Sequence, residues 1–222
     1  MICPPSNQLK CPRRGYFFLE ANLLIPEPTI KRTYVYFDGQ NLYHHAKEAF
    51  GYNFPNYDPR KLADCICQLN NWIVHKTFFY TGIPSPLEPF WHNFWKAKMQ
   101  VLGTRGIRTF SRELRYRNQT VQLPDGNSCV TQVGQEKGID VRIALDIVRH
   151  ASENVYDVAL IFSQDQDLTE AVDDVKTIAR NTKRWIKLAS AFPISPTVKN
   201  SRGINGTDWI KMDRTLYNCI FR

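Results

Sequence analysis

From Tyr34 to Ser190, short runs of β-branched and aromatic residues alternate with helix-length amphipathic segments, and that alternation leaves few folds open. "TYVYF" reads as a strand and is followed by the helical "NLYHHAKEAF". In "DPRKLADCICQL", Asp58 stands at the N-cap and Pro59 at the first helical position, a strong helix start. "WIVHKTFFYT" is strand-like, "PLEPFWHNFWKAKMQVLG" predicts a helix closed by Gly103, and "GIRTF" is a third strand. "GIDVRIALDIVRHA" is an amphipathic helix, "DVALIFS" a nearly all-apolar strand, "DLTEAVDDVKTIAR" another helix and "RWIKLAS" a fifth strand. Strands separated by helices imply parallel crossovers, and strands apolar on both sides need cover on both faces. The expectation is an α/β fold, a three-layer α/β/α sandwich around a mainly parallel sheet. Between the third strand and the next helix, "RELRYRNQTVQLPDGNSCVTQVG" alternates about a PDG turn and predicts an inserted hairpin.

A length of 222 residues suits one well-buried domain. Residues 1–32 are proline-rich and aperiodic and read as a loosely ordered extension, which leaves 33–222 as the domain. The first thirty residues hold Lys10, Arg13 and Arg14 against Glu20 and Glu27, so they supply +1 of a net charge of +8. The basic character belongs to the domain, and it favours a polyanionic partner. The six cysteines are scattered without a C-x2-C pair, which reads as reduced thiols and no zinc site. No run approaches the roughly 20 apolar residues of a membrane span. "GYFFLEANLLIP" carries Glu20 and has no small-residue cleavage site, so a cytoplasmic protein is expected.

In an open parallel sheet, ligands bind beyond the carboxyl ends of the strands. Three places put acids there: Asp38 follows the first strand, Asp165 and Asp167 follow "LIF", and Asp140 opens a helix just after a loop. Singly, each has an ordinary reading as a helix cap. Together they are hard to explain by capping. Four carboxylates at one end of a sheet repel one another unless neutralised, and Mg²⁺ or Mn²⁺ suits oxygen donors. Asn41 and Ser163 offer neutral oxygens nearby. Asp146 lies about 240° around its helix from Asp140 and is expected to be structural.

The stretches "YVYFDGQNLYHH", "KGIDVRIALDIV" and "DVALIFSQDQDL" occur in the order and spacing of the NYN domain, which the chain resembles over residues 33–188. NYN domains form the LabA-like branch of the PIN-like nucleases. Their pattern is a strand ending D-G-x-N, a K-G-x-D helix start and S-G-D-x-D after a strand. The resemblance implies a PIN-like, Rossmann-like fold, a divalent-metal centre and RNA as substrate. Carried over residue by residue, it lands on Asp38, Asn41, Asp140, Asp165 and Asp167. The implied catalytic set is all five, and the implied ligands of Mg²⁺ or Mn²⁺ are the four aspartates. The chain departs from the pattern at Gln164, where relatives have glycine, and at Leu168, where phenylalanine is frequent. If that glycine is required for a left-handed backbone or for close phosphate approach, Gln164 interferes.

Around this centre, Lys137 precedes the Asp140 helix and can meet a phosphate together with the helix N-terminus. Arg112, Arg115 and Arg117, with Tyr116 among them, suit a single-stranded backbone with a stacked base. "FWHNFWKAKM" repeats aromatics at i, i+4 and reads as a core face instead. His44, His45, His75, His92 and His150 show no metal spacing or triad.

Three functions compete. The first is a divalent-metal-dependent ribonuclease acting on single-stranded RNA or another nucleic acid. The second is a non-catalytic nucleic-acid-binding regulatory protein. The third follows from a resemblance to NYN-type chains described as 6-hydroxy-3-succinoylpyridine hydroxylase, an NADH-dependent monooxygenase of bacterial nicotine degradation taking a small pyridine substrate. No G-x-G-x-x-G follows a strand here. A homo-oligomer is compatible with the sequence.

Overall fold

The computed structural model describes residues 25–122 and 127–218. The chain order is β1 (Arg32–Asp38), α1 (Gly39–Phe50), α2 (Pro59–Leu69), β2 (Ile73–Ile83), α3 (Pro89–Thr104), β3 (Arg108–Glu113), β4 (Arg115–Gln122), β5 (Ser128–Gln135), α4 (Ile139–Ser152), β6 (Val158–Phe162), α5 (Thr169–Thr182), β7 (Lys187–Pro193), β8 (Asp208–Met212) and α6 (Arg214–Tyr217). A 3-10 turn, Gln166–Leu168, precedes α5.

Six strands form one sheet in the order β3-β2-β1-β6-β7-β8, and every pairing is parallel. Counting only these strands, the order is 3-2-1-4-5-6. The order therefore reverses between β1 and β6, where a doubly wound sheet opens a crevice at its carboxyl edge.

Alternation along β1 shows why both faces are covered. Val35 and Phe37 join a core with residues of α1, α2, α3 and α6, while Tyr34 and Tyr36 join a second core with residues of α4 and α5. All five residues of β6 are buried. The three-layer α/β/α sandwich is therefore the observed fold. Phe37 and Phe162 are register partners and stack with ring centroids 4.1 Å apart. Each buried ring contributes about 1.5–3 kcal/mol, so the floor immediately below the reversal point is stiff.

The inserted hairpin is β4–β5, a separate two-stranded antiparallel sheet. Its PDG turn falls at 124–126, outside the described residues, as does most of the expected N-terminal extension; residues 25–31 run without regular structure into β1.

Several expectations need correction. Gly103 does not close α3; the helix runs to Thr104, and the left-handed residue that follows is Gly106. The aromatic run in α3 is only half core: Trp95 is buried, Phe94 and Trp91 are half-buried, and Phe90 is 64% exposed. The buried stripe of α3 is His92, Trp95, Met99 and Leu102, so the i, i+4 aromatics share it only in part. The sheet has a sixth strand, β8, which the pattern missed. It is an edge strand with three of its five residues exposed and a fourth half-buried, and no helix separates it from β7.

Candidate functional site

Asp38 is the last residue of β1 and the N-cap of α1, so its carboxylate sits at the reversal point. Its Oδ1 accepts from the Asn41 backbone N–H at 3.1 Å, and its Oδ2 accepts from Ser163 Oγ at 3.2 Å. The residue is 5% exposed. Burial pushes its carboxyl from 3.8 up to about 7; the two hydrogen bonds oppose this, and the charges of Asp165 and Asp140 add to it.

The tight strand-to-helix turn that aims Asp38 requires a glycine next. A Cβ at Gly39 would fall 2.6 Å from the Phe79 ring and 2.9 Å from the Tyr80 carbonyl oxygen. Close approach, not a left-handed backbone, is the reason for glycine there.

Just after β6, Ser163 is 1% exposed and links two acids: it donates to Asp38 and accepts from the Asp165 N–H at 3.1 Å. Asp165 is half-buried and caps the 3-10 turn by accepting from the Asp167 N–H at 3.0 Å. Asp167 itself is exposed. Asn41 Oδ1 accepts from the Gln164 N–H at 3.0 Å, pinning the β6 loop to α1 across the crevice.

From the far side, α4 begins after Gly138, which takes φ +75. That conformation strains any residue with a side chain, which explains the glycine of K-G-x-D. Asp140 lies in the first turn of α4, half-buried, and the helix has no side-chain cap, so capping does not account for it.

One acid was missed by the sequence reading. Glu136 is half-buried and accepts from the Gly82 N–H through Oε2 at 3.0 Å. Burial pushes its carboxyl up to about 7, and Asp38, Asp140 and Asp165 all act on it in the same sense. It lay between a hairpin and a glycine with no periodicity to mark it; only the E-K-G adjacency could have raised it. His45, one turn beyond Asn41, was also passed over. Burial holds its imidazole below the ordinary value, against the opposing charges of Glu48 and Asp165.

The structure thus brings Asp38, Glu136, Asp140 and Asp165 within electrostatic reach of one another, from β1, the β5–α4 loop, α4 and the β6 loop. Their oxygen donors and uncompensated negative charge suit a hard divalent cation. Among the described residues, no three His, Cys, Asp or Glu side chains are grouped as a preformed metal site.

The basic residues divide. Arg112 reaches the site's rim: its Nη1 lies 2.5 Å from where a Cβ on Gly138 would be, and it pairs in register with Gly82. Lys137 is exposed beside Glu136, and Arg115 and Arg117 are exposed on β4, where Arg115 pairs in register with Gln135, next to Glu136. Tyr116 is half-buried; its hydroxyl donates to Glu88 Oε1 at 2.6 Å and accepts from the Ser85 N–H at 3.0 Å. It fastens the hairpin to the β2–α3 loop.

Gln164 does not interfere with the backbone. It is not among the residues with positive φ. Its side chain is buried and donates through Nε2 to the Asn200 and Arg202 carbonyls at 3.3 and 2.7 Å. Gln166 binds the same segment through Gly203 O at 3.0 Å. The amide that replaces glycine is thus engaged in holding the β7–β8 connection.

A three-layer α/β/α sandwich around a parallel sheet that reverses between β1 and β6 is consistent with a PIN-like domain. The NYN domain profile matches residues 32–196, and the chain belongs to the NYN domain family. That family lies in the PIN-like ribonuclease superfamily, which supports a nuclease-type function. No curated protein matches the chain. Among solved structures it is similar to the ribokinase of Giardia lamblia, at 8% identity and TM-score 0.36, covering 77% of this chain and 53% of that one. It is also similar to MurG of Acinetobacter baumannii, at 8% identity and TM-score 0.32, covering 82% and 45%. The chain spans about half the length of either. Among the described residues, no helix is long and apolar enough to cross a membrane.

Proposed function

We propose that the protein is a divalent-metal-dependent ribonuclease acting on single-stranded RNA. The observation that carries this is the convergence at the reversal point of Asp38, Glu136, Asp140 and Asp165, with Asp38 buried and supplied with only neutral donors. A protein does not keep such a deficit of positive charge without something to fill it. Asp38, Asp140 and Asp165 would hold Mg²⁺ or Mn²⁺, which lowers the pKa of a bound water and stabilises charge on a leaving oxygen.

The chain's own residues do the rest. Ser163 and Asn41 orient Asp38 and the β6 loop, so the acids need little reorganisation. Asp167, exposed beside Asp165, suits contact through a water. Glu136, whose carboxyl is pushed up to about 7, can hold or release a proton near neutrality and is suited to general acid–base work. Arg112 and Lys137 meet phosphates at the rim, and the arginines of the acid-free described part of the hairpin extend the basic track.

The strand order is also that of dinucleotide-binding sheets. In those, a glycine-rich first turn cradles a pyrophosphate; here that turn carries Asp38, which repels it. This argues against NADH.

The test is cleavage of end-labelled single-stranded RNA with Mg²⁺ or Mn²⁺, beside the Asp38→Asn/Asp165→Asn variant. Metal-dependent cleavage lost in the variant is the expected result. Metal-free cleavage, or equal cleavage by the variant, would sink the proposal. So would NADH consumption with a pyridine substrate in place of RNA cleavage.

A further inference from the structure

A cleft of about 430 Å³ opens between α1 and α3, beside the acids. From α1 it is lined by Gln40, Tyr43, His44 and Lys47, whose i, i+3, i+4, i+7 spacing gives the helix a second working face. Leu42, Ala46 and Ala49 occupy its core face. Trp91 and Trp95 of α3 form the opposite wall, and the root of the hairpin closes one end through Leu114 and Gly134.

The cleft joins the acids through a single residue. The Gly82 N–H donates to Glu136, while the Gly82 carbonyl accepts from Gln40 Nε2 at 3.3 Å. A group seated against Gln40 is therefore linked to Glu136 through one residue, Gly82.

We infer that this cleft is a nucleobase subsite, taking one unstacked base of a single-stranded RNA whose neighbouring phosphate lies at the acids. The position of that phosphate rests on the nuclease reading; the base site does not. The Trp91 indole is half-buried and held by its neighbours: Phe90 and Phe94 meet it edge-on at 5.2 and 5.6 Å, and Phe54 lies tilted at 5.4 Å. A fixed aromatic face is what base stacking needs, since every base offers a π-face. Gln40 and His44 supply hydrogen-bonding groups for a base edge. Burial and the charge of Lys47 lower the His44 pKa, which favours the neutral ring with one donor and one acceptor. Lys47 offers a cation to the next phosphate. The volume lies within the range of small-molecule sites. An apolar peptide segment would offer no partner to His44 and Lys47, so it is the poorer occupant.

The test uses the full chain carrying Asp165→Asn, so that cleavage does not intrude, and a fluorescein-labelled eight-nucleotide RNA read by anisotropy. Trp91→Ala is expected to weaken binding by about 5- to 150-fold, and Trp91→Tyr to retain most of it. A scan with one abasic nucleotide should find a position whose removal weakens the parent by a similar factor and Trp91→Ala hardly further. Melting curves of each variant check folding, and Lys47→Ala gives a second, surface-located perturbation expected to weaken binding severalfold. Unchanged binding by folded Trp91→Ala, or additive losses at every abasic position, would overturn the subsite. So would quenching of tryptophan fluorescence by a pyridine carboxylate but by no nucleoside monophosphate. If the coupling is found and wild-type protein cleaves nothing, the nuclease reading fails and the subsite stands; cleavage without coupling has the reverse meaning.

Discussion

Asp38 and Asp146 are each 5% exposed, and the fold treats them in opposite ways. Asp146, on α4, accepts from the Tyr80 hydroxyl at 2.9 Å, from Arg142 at 2.9 Å and from Arg149 at 2.8 Å. Its charge is met by two guanidinium groups, and it lies under a helix that packs on the sheet. Asp38 has one backbone N–H and one hydroxyl, and the charges acting on it are those of other acids. A buried carboxylate with cationic partners is part of the scaffold. One surrounded by carboxylates is a place the protein keeps at a cost to stability, and such costs cluster at functional sites.

The largest effect is expected from Asp38→Asn, which should lower metal-dependent RNA cleavage by roughly 10³-fold, the scale of losing a group at the reacting centre. Asp146→Asn should leave cleavage within a few-fold while costing about 2–3 kcal/mol, because the Tyr80 and arginine partners lose one acceptor oxygen and the charge that meets both guanidinium groups. Denaturant unfolding beside a cleavage assay separates the two; the reverse pattern would undo the comparison.

Next comes pH. The Asp38 carboxyl is pushed from 3.8 to about 7, so between those values the folded protein keeps a proton that the unfolded chain has released. Stability is therefore lost as pH rises from about 4 to about 7, and the loss is complete above it. Asp38→Asn should raise stability by about 2–4 kcal/mol at pH 8 and little at pH 4, at about 1.4 kcal/mol per unit. Thermal melts at the two pH values read it directly.

A divalent cation should relieve the same penalty. At about a hundred times its dissociation constant, Mg²⁺ or Mn²⁺ should stabilise the wild type by about 2.7 kcal/mol and the Asp38→Asn/Asp165→Asn protein hardly at all. An equal rise in melting temperature in both would place the ion elsewhere.

The smallest effect concerns Gln164. Replacing it with glycine removes two hydrogen bonds to the Asn200 and Arg202 carbonyls and should cost about 1–3 kcal/mol. Cleavage should stay within about tenfold. A loss beyond a hundredfold would mean that the amide acts on substrate.

Much of this was legible in the residues because it is local. Alternating apolar runs give strands and helices within a few residues of their true bounds, since burial on two faces or one is written into each segment's own period. Asp58 before Pro59 marked a helix start that the structure repeats. The glycines of D-G-x-N and K-G-x-D could be flagged as special, although their reasons differ: Gly39 is crowded by Phe79, whereas Gly138 is left-handed. β8 escaped because an edge strand with one exposed face carries too few apolar residues to stand out.

The residues alone mark the chain as α/β, place acids beyond its strands, and carry the likeness to the NYN domains to which it belongs. Long-range strand pairing set the order that turns between β1 and β6, which brings Asp38, Glu136, Asp140 and Asp165 within electrostatic reach of one another. Tertiary structure alone brought Glu136 into that group, turned Gln164 toward the β7–β8 connection, and set α1 against α3 to leave a cleft. The reason is range: periodicity records what each segment buries, whereas meeting points depend on which strands lie side by side, and no single segment carries that.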